Sequence, residues 1–128
     1  MREIKFRGKR KSSRKEYQYW VYGYLYKDVD GTCQILFNNE NGDINFEEVK
    51  EETICQYTGL KDKNGVEIYE GDRVKAKFYG KEVNGEIGLC NGCFLLWNRC
   101  VSDNQLFIFT DIEVIGNIYE DKLKGEGK

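Results

Sequence analysis

Five dipeptides ending in glycine, Asp30-Gly31, Asn41-Gly42, Asn64-Gly65, Asn84-Gly85 and Asn91-Gly92, cut this chain into short runs. Such pairs accept the positive φ angles of tight hairpin turns at low cost. The runs between them are rich in Val, Ile, Tyr and Phe. Short β-prone runs separated by hairpin signals predict antiparallel sheet. Strands are expected near residues 3–7, 17–27, 33–38, 43–46, 54–58, 73–79, 86–90, 93–98, 106–110 and 113–119. The helical candidate, Phe46-Glu47-Glu48-Val49-Lys50-Glu51-Glu52, is one or two turns long and too short to stand without packing.

A chain of 128 residues holds one ordinary domain or two small β units. With 40% hydrophobic and 33% charged residues it has the composition of a folded globular protein. No run approaches the ~18 apolar residues of a membrane span. Met1-Arg2-Glu3-Ile4-Lys5 lacks the apolar core of a signal peptide. The expected location is the cytoplasm, with no membrane partner.

The strand around 17–27 is apolar or aromatic on both faces. Alternation sends Tyr17, Tyr19, Val21 and Leu25 one way and Trp20, Tyr22, Tyr24 and Tyr26 the other. Such a strand is either covered on both sides or turns one face to a partner. Trp20, Tyr22 and Tyr24 are accordingly expected in the core or in an oligomer contact. Residues 73–78 alternate cleanly, with Val74, Ala76 and Phe78 inward and Arg73, Lys75 and Lys77 outward as a basic stripe. Entry to that strand through Glu70-Gly71-Asp72 is a turn common in small SH3-like barrels.

Charge is unevenly spread. Residues 1–16 carry eight basic and two acidic side chains, a net +6, which leaves −8 for the rest of a chain whose total is −2. The arm Lys9-Arg10-Lys11-Ser12-Ser13-Arg14-Lys15 is therefore the first candidate contact for an anionic partner, nucleic acid included, with Arg73, Lys75 and Lys77 as a second patch. Weak, salt-sensitive binding is the expectation, because the remaining chain repels a polyanion.

The chain contains no histidine. That removes the commonest general base, the Ser-His-Asp and Cys-His arrangements, and every His-containing zinc site. Ser12, Ser13 and Ser102 have no imidazole to activate them. Among Cys33, Cys55, Cys90, Cys93 and Cys100, only Cys90-Asn91-Gly92-Cys93 has ligand spacing. One such pair does not make a four-ligand zinc site, and it reads better as a two-residue hairpin with its thiols opposed. The carboxylates Asp28/Asp30, Glu47/Glu48, Glu51/Glu52 and Asp111/Glu113 are scattered, with no spacing that singles out a metal-binding pair. No phosphate-cradling glycine motif is present. No cofactor, metal or catalytic residue is expected.

Three blocks carry a resemblance. The first is Ile4-Lys5-Phe6-Arg7-Gly8-Lys9 followed by Trp20-Val21-Tyr22-Gly23-Tyr24-Leu25. The second is Gln56-Tyr57-Thr58-Gly59-Leu60-Lys61-Asp62-Lys63-Asn64-Gly65 running into Ile68-Tyr69-Glu70-Gly71-Asp72-Arg73-Val74. The third is Val114-Ile115-Gly116-Asn117-Ile118-Tyr119-Glu120. Their content and order closely resemble the YopX-like family of phage and prophage proteins, over nearly the whole chain. The resemblance implies a mostly-β protein with an SH3-like barrel in its C-terminal part and no established activity. Cys55 departs from the pattern, which has a small residue there. The central block also reads as a turn scaffold, with Gly59, Gly65, Gly71 and Asp72 as its structural residues.

Together these readings predict a β-rich N-terminal part over 1–59 carrying the basic arm, an SH3-like barrel over 60–120, and a flexible tail over 121–128. The expected function is a non-enzymatic binding or adaptor module of a phage or prophage, acting in a bacterial host cell. The alternatives are a self-assembling structural protein, a weak nucleic-acid binder, and a carboxylate- and metal-dependent hydrolase.

Overall fold

A computed structural model describes residues 3–90, 92–98, 104–106 and 109–120, with only the backbone of 104 and 105. The expected tail 121–128, Asn91 and Cys100 lie outside the described residues. The chain divides into two compact units, 1–57 and 58–128. Both are antiparallel β structures.

The first unit holds β1 (Phe6–Lys9), β2 (Trp20–Lys27), β3 (Cys33–Asn38), β4 (Ile44–Glu48) and the start of β5 (Cys55–Lys61). They hydrogen-bond in the order β4-β3-β2-β1-β5. The Asp30-Gly31 and Asn41-Gly42 pairs turn the chain between neighbouring strands, with glycine φ of 91° and 83°. Beyond β4 the sheet curls back on β1. Arg10 bridges Val49, Lys11 N–H donates to the Glu48 carbonyl at 2.8 Å, and Lys50 N–H donates to that of Lys9 at 2.9 Å. On its other side Val49 N–H donates to the Cys33 carbonyl. The curl encloses Val21, Cys33, Ile35 and Val49, with Phe6, Phe37 and Ile54 against them. The expected helix at 46–52 is instead β4 followed by a 3₁₀ turn at Glu51–Thr53. Pairing with β3 outweighs the weak helical preference of seven residues. The turn is anchored by Thr53, whose hydroxyl accepts from Lys9 N–H at 2.8 Å and donates to the Lys50 carbonyl at 2.7 Å.

The second unit holds β6 (Glu67–Tyr69), β7 (Asp72–Phe78), β8 (Lys81–Cys90), β9 (Cys93–Trp97), β10 (Asn104–Gln105) and β11 (Thr110–Asn117). Five of these form a sheet of order β10-β9-β8-β7-β11. Its core is Ile68, Val74, Ala76, Ile87, Leu96, Leu106 and Phe109. The alternation read in 73–78 holds: Val74 and Ala76 are buried, Phe78 packs against them, and Arg73, Lys75 and Lys77 point outward. Among the described residues this sheet is open, and no strand pairing closes it into the expected SH3-like barrel. Register shifts interrupt β11 between Thr110 and Glu113 and between Val114 and Gly116, and such irregularities bend a strand and increase its twist.

One turn was misplaced. Asn84-Gly85 lies inside β8, where Gly85 opposes Val74. The β7–β8 hairpin turns at Tyr79-Gly80, whose φ values of 50° and 82° suit a tight two-residue loop. Gly85 has a packing reason: an added Cβ would meet the Leu96 side chain and sit 2.7 Å from the Trp97 carbonyl oxygen. Among the described residues no helix is long and apolar enough to cross a membrane.

Candidate functional site: the outer face of the N-terminal sheet

Strand alternation in the first unit separates an enclosed face from an outer one. Val21, Ile35 and Val49 are on the enclosed side. The outer side is fixed by register. Tyr24 pairs with Leu36 and Leu36 with Phe46, which sets those three side chains in one row across β2, β3 and β4. Tyr26 pairs with Gln34, and Asn38 with Ile44, which adds a residue pair on either side of that row. Tyr22 lies on the same face of β2, opposite Arg7 of β1.

Along β2 and β4 this outer face is open. Relative exposure is 43% for Tyr22, 65% for Tyr24, 44% for Tyr26, 72% for Ile44 and 62% for Phe46. The expectation that Tyr22 and Tyr24 lie in a core is therefore corrected. The residues that close the curl bring Val21, Cys33, Ile35 and Val49 inward, with Phe6 and Phe37 against them, and the β2 tyrosines and Phe46 take the other side. Trp20 is half-buried and outside the apolar cluster. It sits under two cations, with the Arg7 guanidinium 4.4 Å and the Lys9 ammonium 5.0 Å from its ring centre. Cation–π stacking accounts for its position at the basic end of the face.

The basic arm is not a free arm. Lys9 ends β1, Arg10 and Lys11 run beside Glu48–Lys50, and Lys15 begins a 3₁₀ turn. Arg10 Nε lies 3.0 Å from Glu47, Lys11 Nζ 3.2 Å from Glu48, and Arg14 Nε 3.2 Å from Glu16. The hydrogen bond that Arg10 donates to the Glu47 carboxylate pushes the Arg10 pKa up. Unit 1 as a whole holds ten basic and ten acidic residues and is neutral. The second patch is similarly matched: Lys75 lies 3.9 Å from Glu82 and Lys77 3.5 Å from Asp111, and Arg73 pairs with Glu86 across β7 and β8. A cleft of about 830 Å³ runs along Lys11–Ser13 and Glu48–Glu52. Its charged lining is two lysines against Asp30, Glu48, Glu51 and Glu52, which is unsuited to phosphate.

The remaining sequence candidates fall in the second unit. Gly65 and Gly71 have φ of 83° and 88°, and Gly59, inside β5, has 88°. Asp72 is buried, and its Oδ2 accepts from Tyr69 N–H at 2.7 Å, tying the turn at Glu70-Gly71. Asp62, read from sequence only as part of a polar turn, is also buried. Its Oδ1 accepts from Asn64 and Val66 N–H, at 2.8 and 2.9 Å. The Asp-x-Asn-Gly spelling signalled this Asx turn. Both carboxylates hold backbone, so their roles are structural. Cys90 and Cys93 are paired residues at the end of the β8–β9 hairpin and both exposed, whereas Cys33 and Cys55 are buried. Among the described residues no three His, Cys, Asp or Glu side chains are grouped to hold a metal ion.

No curated protein matches the chain. The family described as YopX protein matches it over residues 5–123, a span that takes in both units. The chain therefore belongs to the YopX family.

Proposed function

We propose that this chain is a non-enzymatic binding module, of phage or prophage origin, that docks an apolar and weakly charged protein surface on the outer face of its N-terminal sheet. The observation that carries the reading is the row Tyr24–Leu36–Phe46, exposed at Tyr24 and Phe46 and partly buried at Leu36, with exposed Tyr22, Tyr26 and Ile44 around it. Isolated exposed aromatics are ordinary, but a contiguous patch on one sheet face marks an interaction surface. Tyrosine and phenylalanine are also the residues enriched at interfaces, since rigid rings bury much area at little entropic cost. The pairing of Arg10, Lys11 and Arg14 with carboxylates favours a protein occupant over a polyanion. The cytoplasm of a bacterial host is the compartment in which such a module would work.

Photo-crosslinking tests this. Full-length chains carrying Tyr24→p-benzoylphenylalanine or, as a control on the second unit, Lys81→p-benzoylphenylalanine are irradiated in bacterial cells. Discrete protein adducts are expected from position 24 and not from position 81. Equal or absent adducts at both positions overturn the reading.

A further inference from the structure

We infer that the occupant of this face is a second copy of the same chain, so that two molecules pair through Tyr22, Tyr24, Tyr26, Ile44 and Phe46 around a two-fold axis. The inference rests on the binding reading above and names its partner.

Three observations lead to self-pairing. The first is area. Large side chains present roughly 150–250 Å² each when fully exposed, so the five at their observed exposures offer on the order of 600 Å². A stable interface needs about 800 Å² from each partner, so this patch with its polar rim is the right size for one.

The second is charge. A two-fold interface lays a surface on itself, so a patch of one sign repels its own copy. Here Tyr22, Tyr24, Tyr26, Gln34, Leu36, Asn38, Ile44 and Phe46 are all uncharged. The acidic neighbour at the end of the Tyr26–Gln34 row is Glu48, and its carboxylate is held by Lys11 at 3.2 Å. The patch can therefore meet its own copy without burying an unpaired charge. Arg7, opposite Tyr22, is itself buried and stacked on Trp20, so a nucleic acid would find no exposed cation among these side chains.

The third is the strand edge. β4 is the last strand on its side of the sheet, and Ile44 and Phe46 place their side chains on the outer face. The ladder fixes which backbone groups are used: Asn39 N–H donates to the Asp43 carbonyl and Val49 N–H to that of Cys33. Alternation from these two ends turns the N–H and C=O of Ile44 and Phe46 away from β3. Apolar side chains and open backbone groups at one edge are a template for another chain of the same kind. No proline interrupts it.

Sedimentation and light scattering of the full chain across a wide concentration range test the inference. The expected mass is twice that of one chain at high concentration. Phe46→Lys and Tyr24→Lys should each weaken pairing by at least about 30-fold, as for a central contact, while Tyr24→Phe leaves it unchanged. Thermal unfolding of each variant checks that the unit still folds, as the exposure of both residues predicts. A second readout is the photo-adduct from position 24, expected to be a dimer of the chain. A protein that stays monomeric while position 24 captures a different protein overturns self-pairing and leaves the binding reading intact. A monomer without adducts overturns both. A dimer indifferent to Tyr24→Lys and Phe46→Lys overturns the assignment of the face. So does single-stranded oligonucleotide binding that Tyr24→Ala and Phe46→Ala abolish.

Discussion

The Asp62 carboxylate accepts a hydrogen bond from the backbone N–H of Val114, 52 residues further along the chain, at 2.9 Å. With Asn64 and Val66 bound to the other oxygen, one buried side chain ties the 62–66 turn to β11. Burial works to raise its pKa. The N–H donors of Val114, Val66 and Asn64, helped by nearby Lys63, outweigh that and hold it below the usual carboxylate range. A depressed folded pKa stabilises fully above the unfolded value of about 3.9, and that stabilisation is lost as pH falls through the lower folded value. An amide at this position keeps one acceptor oxygen and sets a donor against a donor. Asp62→Asn is expected to cost about 1–3 kcal/mol near neutral pH. Its deficit against the unsubstituted chain should shrink in acid, as followed by denaturant unfolding at several pH values. A deficit independent of pH would show that charge is not the source.

Trp20 is half-buried beneath Arg7 and Lys9, and its replacement should be milder than that of a core tryptophan. Trp20→Ala is expected to cost about 1–2 kcal/mol, from lost stacking and partial burial. Core truncation of a tryptophan costs roughly 3–5 kcal/mol. Urea unfolding separates the two, and a loss in the upper range would return Trp20 to the core.

Gly8 lies against Val49 where the sheet curls. A Cβ at position 8 would stand 2.9 Å from the Val49 Cβ. Gly8→Ala should therefore overpack the small core and destabilise by about 1–3 kcal/mol. Adding Val49→Ala should recover part of the loss, because the two sites couple. Strictly additive losses in a double-mutant cycle argue against the contact.

Cys90 and Cys93 are exposed, and Cys33 and Cys55 are not. Iodoacetamide on the native chain should modify the first pair and spare the second, with all four modified after unfolding. Peptide mass spectrometry reads each site separately. Native labelling of Cys33 or Cys55 at the rate of Cys90 would contradict the burial of those two thiols.

Much of the second unit was legible because its signals are local. Val74 and Ala76 alternate with Arg73, Lys75 and Lys77, and a period of two needs only one buried face to be read. Asn64-Gly65 marks its turn by the conformational freedom of two adjacent residues. Asn84-Gly85 misled because the same spelling serves another need. Leu96 and Trp97 leave no room for a side chain at Gly85, and nothing adjacent in sequence announces them.

The sequence by itself determined the antiparallel β character, the alternation of β7, the absence of imidazole chemistry and the family. Those follow from backbone preference, side-chain period and residue content, which act over a few positions. Only the tertiary structure decided which face of β2 is covered. Both its faces are apolar, so alternation cannot choose between them. The choice is made by contacts made far along the chain, where Val49 reaches between Cys33 and Arg10 and encloses Val21 and Ile35. The same distant pairing places Glu47 and Glu48 beside Arg10 and Lys11. A run that is strongly basic in sequence is thereby matched by carboxylates in space, because ion pairing depends on separation in ångströms and not in residues.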